Sequence, residues 1–195
     1  MKKLLLTLTL GAAMMAHSGC GPETETPIRN KENHFVTLET SMGNLTLELY
    51  RDVAPAHADS FLARTNEGFY DGTVFHRIIK GFMIQGGDPT GTGAGDAGYR
   101  LNAEFSDLKH ERGILSMARG PHPNSASCQF FICFANAPHL DGQYTVFGRV
   151  VNGSEALNKL EQTPVGPSRG GENSAPVEEV TLIKAYESTA DGKAL

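Results

Sequence analysis

Val74 to Asp88 reads VFHRIIKGFMIQGGD, two apolar runs separated by Lys80-Gly81 and closed by Gly86-Gly87. Short runs of aromatic and β-branched residues broken by a Lys-Gly pair predict two strands joined by a turn. Arg77 is the anomaly. Strand alternation puts it on one face with Phe75 and Ile79, and a guanidinium among apolar neighbours is costly without a partner or a purpose. The plain alternative is an arginine paired to an acidic neighbour or snorkelling to the rim of a sheet.

The flanks repeat the same short-strand grammar. Upstream, the stretches from Phe35 to Thr40 and from Leu45 to Tyr50 alternate around Ser41 to Asn44, a hairpin signal. Pro55 opens a helix with Phe61 and Leu62 on its apolar face, and Asn66-Glu67-Gly68 ends it. Downstream, Pro89 to Gly98 is a glycine-rich loop that lacks the lysine and serine of a P-loop and the spacing of a dinucleotide site; a surface loop forced through positive φ angles is expected. Gly113 to Ala118 reads as a strand, as does Gln129 to Phe134, with Gln129, Phe131 and Cys133 on one face and Phe130, Ile132 and Phe134 on the other. Tyr144 to Val151 is a further strand, and a helix follows from Ser154, whose hydroxyl is the expected cap, to Gln162. Thr163 to Pro176 reads as a Pro/Gly-rich loop and Val177 to Tyr186 as the last strand. Eight short strands and two helices imply a mainly β fold, a closed eight-stranded antiparallel barrel capped by two α-helices.

The chain of 195 residues, with 22 Gly, 10 Pro and no Trp, suits one β-rich domain with tails. Its net charge is −5 and it has no Lys/Arg cluster, so no nucleic-acid partner is expected. Residues 1–19 read as an export signal: Lys2-Lys3, then an apolar stretch from Leu4 to Ala16 too short to span a bilayer. Two processing routes fit. Ala16-His17-Ser18 resembles an ordinary cleavage site, and Ser18-Gly19-Cys20 resembles a lipobox with His17 in place of the usual leucine. The lipobox is preferred because one of only three cysteines falls there, which makes Cys20 the candidate lipidation site and a lipid anchor the membrane partner. Residues 20–33 are polar and aperiodic, a flexible spacer; the domain is then 34–187, with a polar tail over 188–195. The expected location is the cell envelope or periplasm. Cys128 and Cys133 lie five apart on opposite faces of one strand, cannot pair with each other there, and read as buried small hydrophobes.

The chemistry left by elimination is unusual. The seven His are scattered without H-x-H or H-E-x-x-H spacing and no C-x-x-C occurs, so no metal site and no cofactor are expected. No serine sits in a G-x-S-x-G elbow. What remains is Arg77, the amides Gln85 and Gln129, and the apolar Phe82, Met83, Phe131 and Leu140. Together they make a hydrophobic slot with hydrogen-bond donors at its lip, suited to a peptide and one apolar ring.

FHRIIKGFMIQGGD, the GTG at Gly91 to Gly93, GILSMA, NSASCQFFI and LDGQYTVFGRV, in this order and at these separations, resemble the cyclophilins, the peptidyl-prolyl cis/trans isomerases. The resemblance runs from about Phe35 to Tyr186. It implies that Arg77 is the catalytic arginine, that Phe82, Met83, Phe131 and Leu140 wall a proline pocket, and that Gln85, Ala118 and Gln129 hold the substrate backbone. Two positions depart: His139 stands where the family commonly has tryptophan, and Tyr144 where it commonly has histidine, which keeps an aromatic wall. Without the indole's donor and apolar face, weak cyclosporin inhibition is expected.

The implied reaction needs neither cofactor nor covalent intermediate. Rotation about the peptide C–N bond costs about 18–20 kcal/mol because nitrogen's lone pair is delocalised. A guanidinium that bonds to the pair as it localises binds the twisted state better than either planar isomer. The partners implied are proline-containing unfolded or flexible polypeptides, and a monomer suffices. The alternative of a different class is a non-catalytic module that binds proline peptides, and a structural envelope lipoprotein is a third that the groove residues do not suit.

Overall fold

The computed structural model describes residues 34–195, so the export signal, Cys20 and the spacer lie outside the described residues. The elements are β1 (His34–Thr40), β2 (Gly43–Leu49), α1 (Pro55–Asn66), β3 (Thr73–Val74), β4 (Arg77–Ile79), β5 (Met83–Gly86), β6 (Ile114–Met117), β7 (Phe130–Cys133), β8 (Val146–Asn152), α2 (Ser154–Glu161), β9 (Val165–Pro167), β10 (Asn173–Pro176) and β11 (Thr181–Ser188). Nine strands form one antiparallel sheet in the order β3-β11-β1-β2-β8-β6-β7-β5-β4, and β9 pairs with β10 in a separate hairpin.

The sheet is curled, and its two edges belong to one stretch of chain. β3 and β4 lie at opposite ends of the strand order yet are separated only by Phe75 and His76. A single bridge between Val74 and Asp88, just past the end of β5, draws the edges together, while the Phe75 N–H, donating to Val180 O at 2.9 Å, extends the β3–β11 pairing. The expected barrel is therefore a nine-stranded curled sheet closed by a chain crossing and one bridge, not an eight-stranded barrel closed by a continuous ladder. The same interruption corrects the face assigned to Phe75. Phe75 and His76 leave the strand, so Phe75 turns into the main core while Arg77 and Ile79 stay on the outer side.

Each helix plugs the core with one face. α1 buries His57, Ala58, Phe61 and Thr65, and the Phe61 ring meets Tyr70, Phe130 and Phe147 at centroid distances of 5.1, 5.2 and 5.4 Å. Its N-terminus has no cap of its own because Ala54 lacks a side-chain acceptor. Glu104 replaces it from the long loop, accepting from the Ala56 and His57 N–H groups at 3.1 Å each. α2 buries Ala156, Leu157 and Leu160. Its cap is not Ser154, which is already helical, but Gly153 at φ +100°, where a Cβ would lie 2.1 Å from Asn44 O. The helix thus starts one residue earlier than a capping serine would place it.

The hairpin β9–β10 replaces the expected loop over Thr163 to Pro176. Its strands of three and four residues carry Pro and Gly and no alternation, which hides them from a periodicity reading. The expected C-terminal tail also has structure: Ser188 bridges Ala194, and the Thr189 N–H donates to Lys193 O at 2.8 Å.

Candidate active site

β5 and β7 build the site because they are apolar on both faces. Ile84, Phe130 and Ile132 point into the main core, whereas Met83, Phe131 and Cys133 form a second cluster with Ala137 and Leu140, against which Ile79, Phe82, Ile114, Ala118 and Tyr144 pack. Strand register then aligns the polar groups. Arg77 pairs with Gln85 across β4 and β5, Gln85 with Phe131 across β5 and β7, and Phe131 with Ser116 across β7 and β6. The turn after Ile79 sets that register: Phe82 N–H donates to Ile79 O at 3.0 Å, and Gly81 takes φ +72° as its third residue.

The second cluster opens outward as a cavity of about 240 Å³ lined by Arg77, Phe82, Met83, Gln85, Ala118, Arg119, Phe131, Leu140 and Tyr144. Its wall is aromatic and rigid. Phe131 meets Tyr144 edge-on at 5.8 Å and stacks on the His110 ring beneath it at 6.0 Å with a 13° interplanar angle. His110 is buried and held at both nitrogens, Nδ1 against Asp141 Oδ1 at 3.1 Å and Nε2 against Ser116 Oγ at 3.1 Å. Burial lowers its pKa despite the opposing Asp141 carboxylate, so the ring under the pocket floor favours the neutral form at neutral pH. Asp141, held by the His110 N–H and ring, has its carboxyl lowered.

A directed chain of amides runs along the lip. Arg77 Nη1 donates to Gln85 Oε1 at 3.5 Å, Gln85 Nε2 to Gln129 Oε1 at 2.9 Å, and Gln129 Nε2 to the Gly93 and Gly95 carbonyls at 3.1 and 2.8 Å. The glycine-rich loop at its end is fixed in turn by buried Asp88, which accepts from the N–H groups of Thr90, Gly93 and Gly95 and from the Thr90 hydroxyl. Those bonds outweigh desolvation and lower the Asp88 carboxyl. Gly91, Gly93 and Gly98 have positive φ, as expected of that loop. Past Gln129 a second cavity of about 280 Å³ lies between this loop and Ala118 to Ser127.

Arg77 is both at the pocket and paired. Its Nε and Nη2 donate to Glu172 Oε2 and Oε1 at 2.8 and 3.0 Å, a bidentate contact with the β9–β10 hairpin. Apart from Arg77, Arg119 and the Tyr144 phenol, no ionisable group lines the 240 Å³ cavity among the described residues. The arrangement can seat an apolar ring, hold an extended chain by its amides, and present a cation at one point.

The family described as "Cyclophilin type peptidyl-prolyl cis-trans isomerase/CLD" matches residues 35–187. The chain belongs to the cyclophilins. Peptidyl-prolyl cis-trans isomerase CYP18-1 of Arabidopsis thaliana is 52% identical over 137 residues, covering 68% of this chain and 85% of that protein. Peptidyl-prolyl cis-trans isomerase-like 1 of Gibberella zeae is 45% identical over 156 residues, covering 77% and 92%. A crystal structure of a Cryptosporidium parvum cyclophilin type isomerase, in the presence of the dipeptide Ala-Pro, aligns with TM-score 0.74 at 38% identity, covering 80% of this chain and 99% of that one. The protein is a peptidyl-prolyl cis-trans isomerase by membership of this family.

Within this cyclophilin the cavity gathers eight of the ten residues singled out from the sequence, Arg77, Phe82, Met83, Gln85, Ala118, Phe131, Leu140 and Tyr144. Gln129 lies next door, on the 280 Å³ cavity. His139 is not in the wall: it is exposed, its ring 5.3 Å from that of Phe82 at the outer rim. Three neighbours escaped the sequence reading. Glu172 sits in what looked like a loop, Arg119 is a second cation stacked over Tyr144 at 4.6 Å, and His110 supports Phe131 from below. Arg119 carried a signal, since it directly follows Ala118. Cys128 and Cys133 are unpaired and buried, and burial raises them to about 11 and about 12, so both are inert thiols.

Proposed function

We propose that this cyclophilin isomerises X-Pro bonds in exported polypeptides from the cell envelope, with Arg77 as the catalytic group. The row of Arg77, Gln85 and Phe131 across three strands at the mouth of an apolar cavity supports the reading. The proline ring enters between Met83, Phe131, Leu140 and Tyr144, with Phe82 on the open side, which fixes one end of the scissor-like rotation. Gln85, Gln129 and the Ala118 backbone hold the chain on the other side. As the C–N bond twists, nitrogen becomes pyramidal and its pair points out of the former plane, where an Arg77 N–H can donate to it. Nothing is transferred, which suits a site with no general base.

The export part of the proposal rests on Lys2-Lys3, the short apolar stretch and Cys20. With the lipid at Cys20 and about a dozen polar residues as tether, the domain would meet polypeptides emerging at the membrane, where uncatalysed X-Pro isomerisation takes tens to hundreds of seconds. The mass of the mature N-terminus distinguishes acylated Cys20 from conventional cleavage. For the chemistry, Arg77→Ala is expected to lower kcat/KM on a short X-Pro peptide by about 10²–10³-fold with an unchanged melting temperature. Equal rates would remove Arg77 from the mechanism and leave the peptide-binding, non-catalytic module as the better reading.

A further inference from the structure

We infer that Glu172 is a positioning residue for Arg77, and that the β9–β10 hairpin belongs to the working site; the inference rests on Arg77 being the catalytic group. Arg77 leaves an edge strand on a long, flexible side chain, so the orientation of its guanidinium needs an external constraint. The two-point contact supplies one. With Nε and Nη2 both on the Glu172 carboxylate, the guanidinium plane is set and Nη1 is the donor left facing Gln85 and the cavity.

The backbone that carries the carboxylate is itself anchored. The Ser168 and Ser174 N–H groups both donate to the Glu172 carbonyl, at 2.7 and 3.1 Å, which pins that residue across the turn of the hairpin. From there the donors run one way, Arg77 to Gln85 to Gln129 to the Gly93 and Gly95 carbonyls, so Glu172 closes one end of a chain whose other end Asp88 closes. The Gly93 and Gly95 carbonyls set the direction of the two amides, and Glu172 sets which guanidinium nitrogen reaches them. The pair is also open to solvent, with side-chain exposures of 36% for Arg77 and 46% for Glu172. A half-exposed pair contributes little to folding, so its removal should leave the domain folded. What changes is where Nη1 points.

The experiment compares the full-length wild type with Glu172→Ala and Glu172→Asp, each with Arg77 or Arg77→Lys, using two-dimensional exchange NMR on an X-Pro peptide to separate kcat from KM. Positioning predicts that Glu172→Ala lowers kcat about three- to tenfold with KM within about twofold, that Glu172→Asp recovers part of the loss, and that the same change has no effect once Arg77 is lysine, which has no fork to orient. The Arg77 guanidinium should show two resolved Nη environments in the wild type that average in Glu172→Ala. Unchanged kcat, or an equal loss in the lysine background, would overturn the role. So would faster turnover, which would mean the carboxylate withholds the arginine from substrate. If Arg77→Ala itself keeps wild-type activity, the reading of Arg77 falls first, and that outcome is visible in the same series.

Discussion

Phe130 and Phe131 are neighbours on β7 with opposite duties. Phe130 is fully buried among Phe61, Tyr70 and Phe75, all edge-on at 5.2 to 6.2 Å, and has no open side. Phe131 is almost as buried, at 4% exposure, but its partners are His110, Tyr144 and a cavity. One face of the strand is closed for stability and the other is left unfilled for a guest. Accessibility alone does not separate them. The difference is that the outer cluster lacks a layer, and a prolyl ring can complete it.

Truncation should break that symmetry. Phe130→Ala removes a ring from a sealed aromatic group and is expected to cost about 3–5 kcal/mol, read by denaturant unfolding, with little change in kcat/KM for the fraction that stays folded. Phe131→Ala should cost less, about 1–3 kcal/mol, because one side of its ring already lacks contacts. It should instead lower kcat/KM by about 10–100-fold, as the loss of a close apolar wall removes binding to the proline. Equal stability losses with equal activities would mean that the two faces are not functionally distinct.

The inner and outer faces were legible in the sequence for a simple reason: alternation has period two, so the sets Phe130/Ile132/Phe134 and Phe131/Cys133 separate without any knowledge of partners. Arg77, Gln85 and Gln129 stood out as polar groups inside apolar runs. Glu172 did not. It lies 95 positions from Arg77, in a stretch whose glycine and proline content conceals a hairpin, and one carboxylate among 22 acidic residues carries no local mark. His110 was hidden differently, since its buried ring depends on Asp141 and Ser116 from two other segments. The misplacement of Phe75 has a local cause, the break in β structure at Phe75-His76 that lets the sheet's edges meet.

The two histidines buried among the described residues extend the comparison to pH, with the smallest effect. His57, on the inner side, has Nδ1 on Glu104 Oε2 at 2.6 Å and an Nε2 without a partner, close to Phe147. His110, under the outer cluster, has partners at both nitrogens, and its Asp141 also meets Lys109 Nζ at 3.5 Å. Burial lowers both pKa values below the usual 6.5, and a nearby carboxylate opposes it in each case. A depressed histidine favours the fold fully above the unfolded value; as pH falls below 6.5 the unfolded chain takes up the proton first, and stability declines until the folded-state pKa is passed. Melting temperature should therefore fall from pH 7.5 to pH 5. Protonating His57 puts an N–H donor against apolar neighbours, whereas protonating His110 gives Ser116 Oγ a donor it can accept from. Imidazole resonances followed by NMR should then show His57 titrating below His110, and both below 6.5. The reverse order would mean that the two-point hold on His110 does not ease its charging, and that the floor of the pocket is as intolerant of a proton as the sealed core.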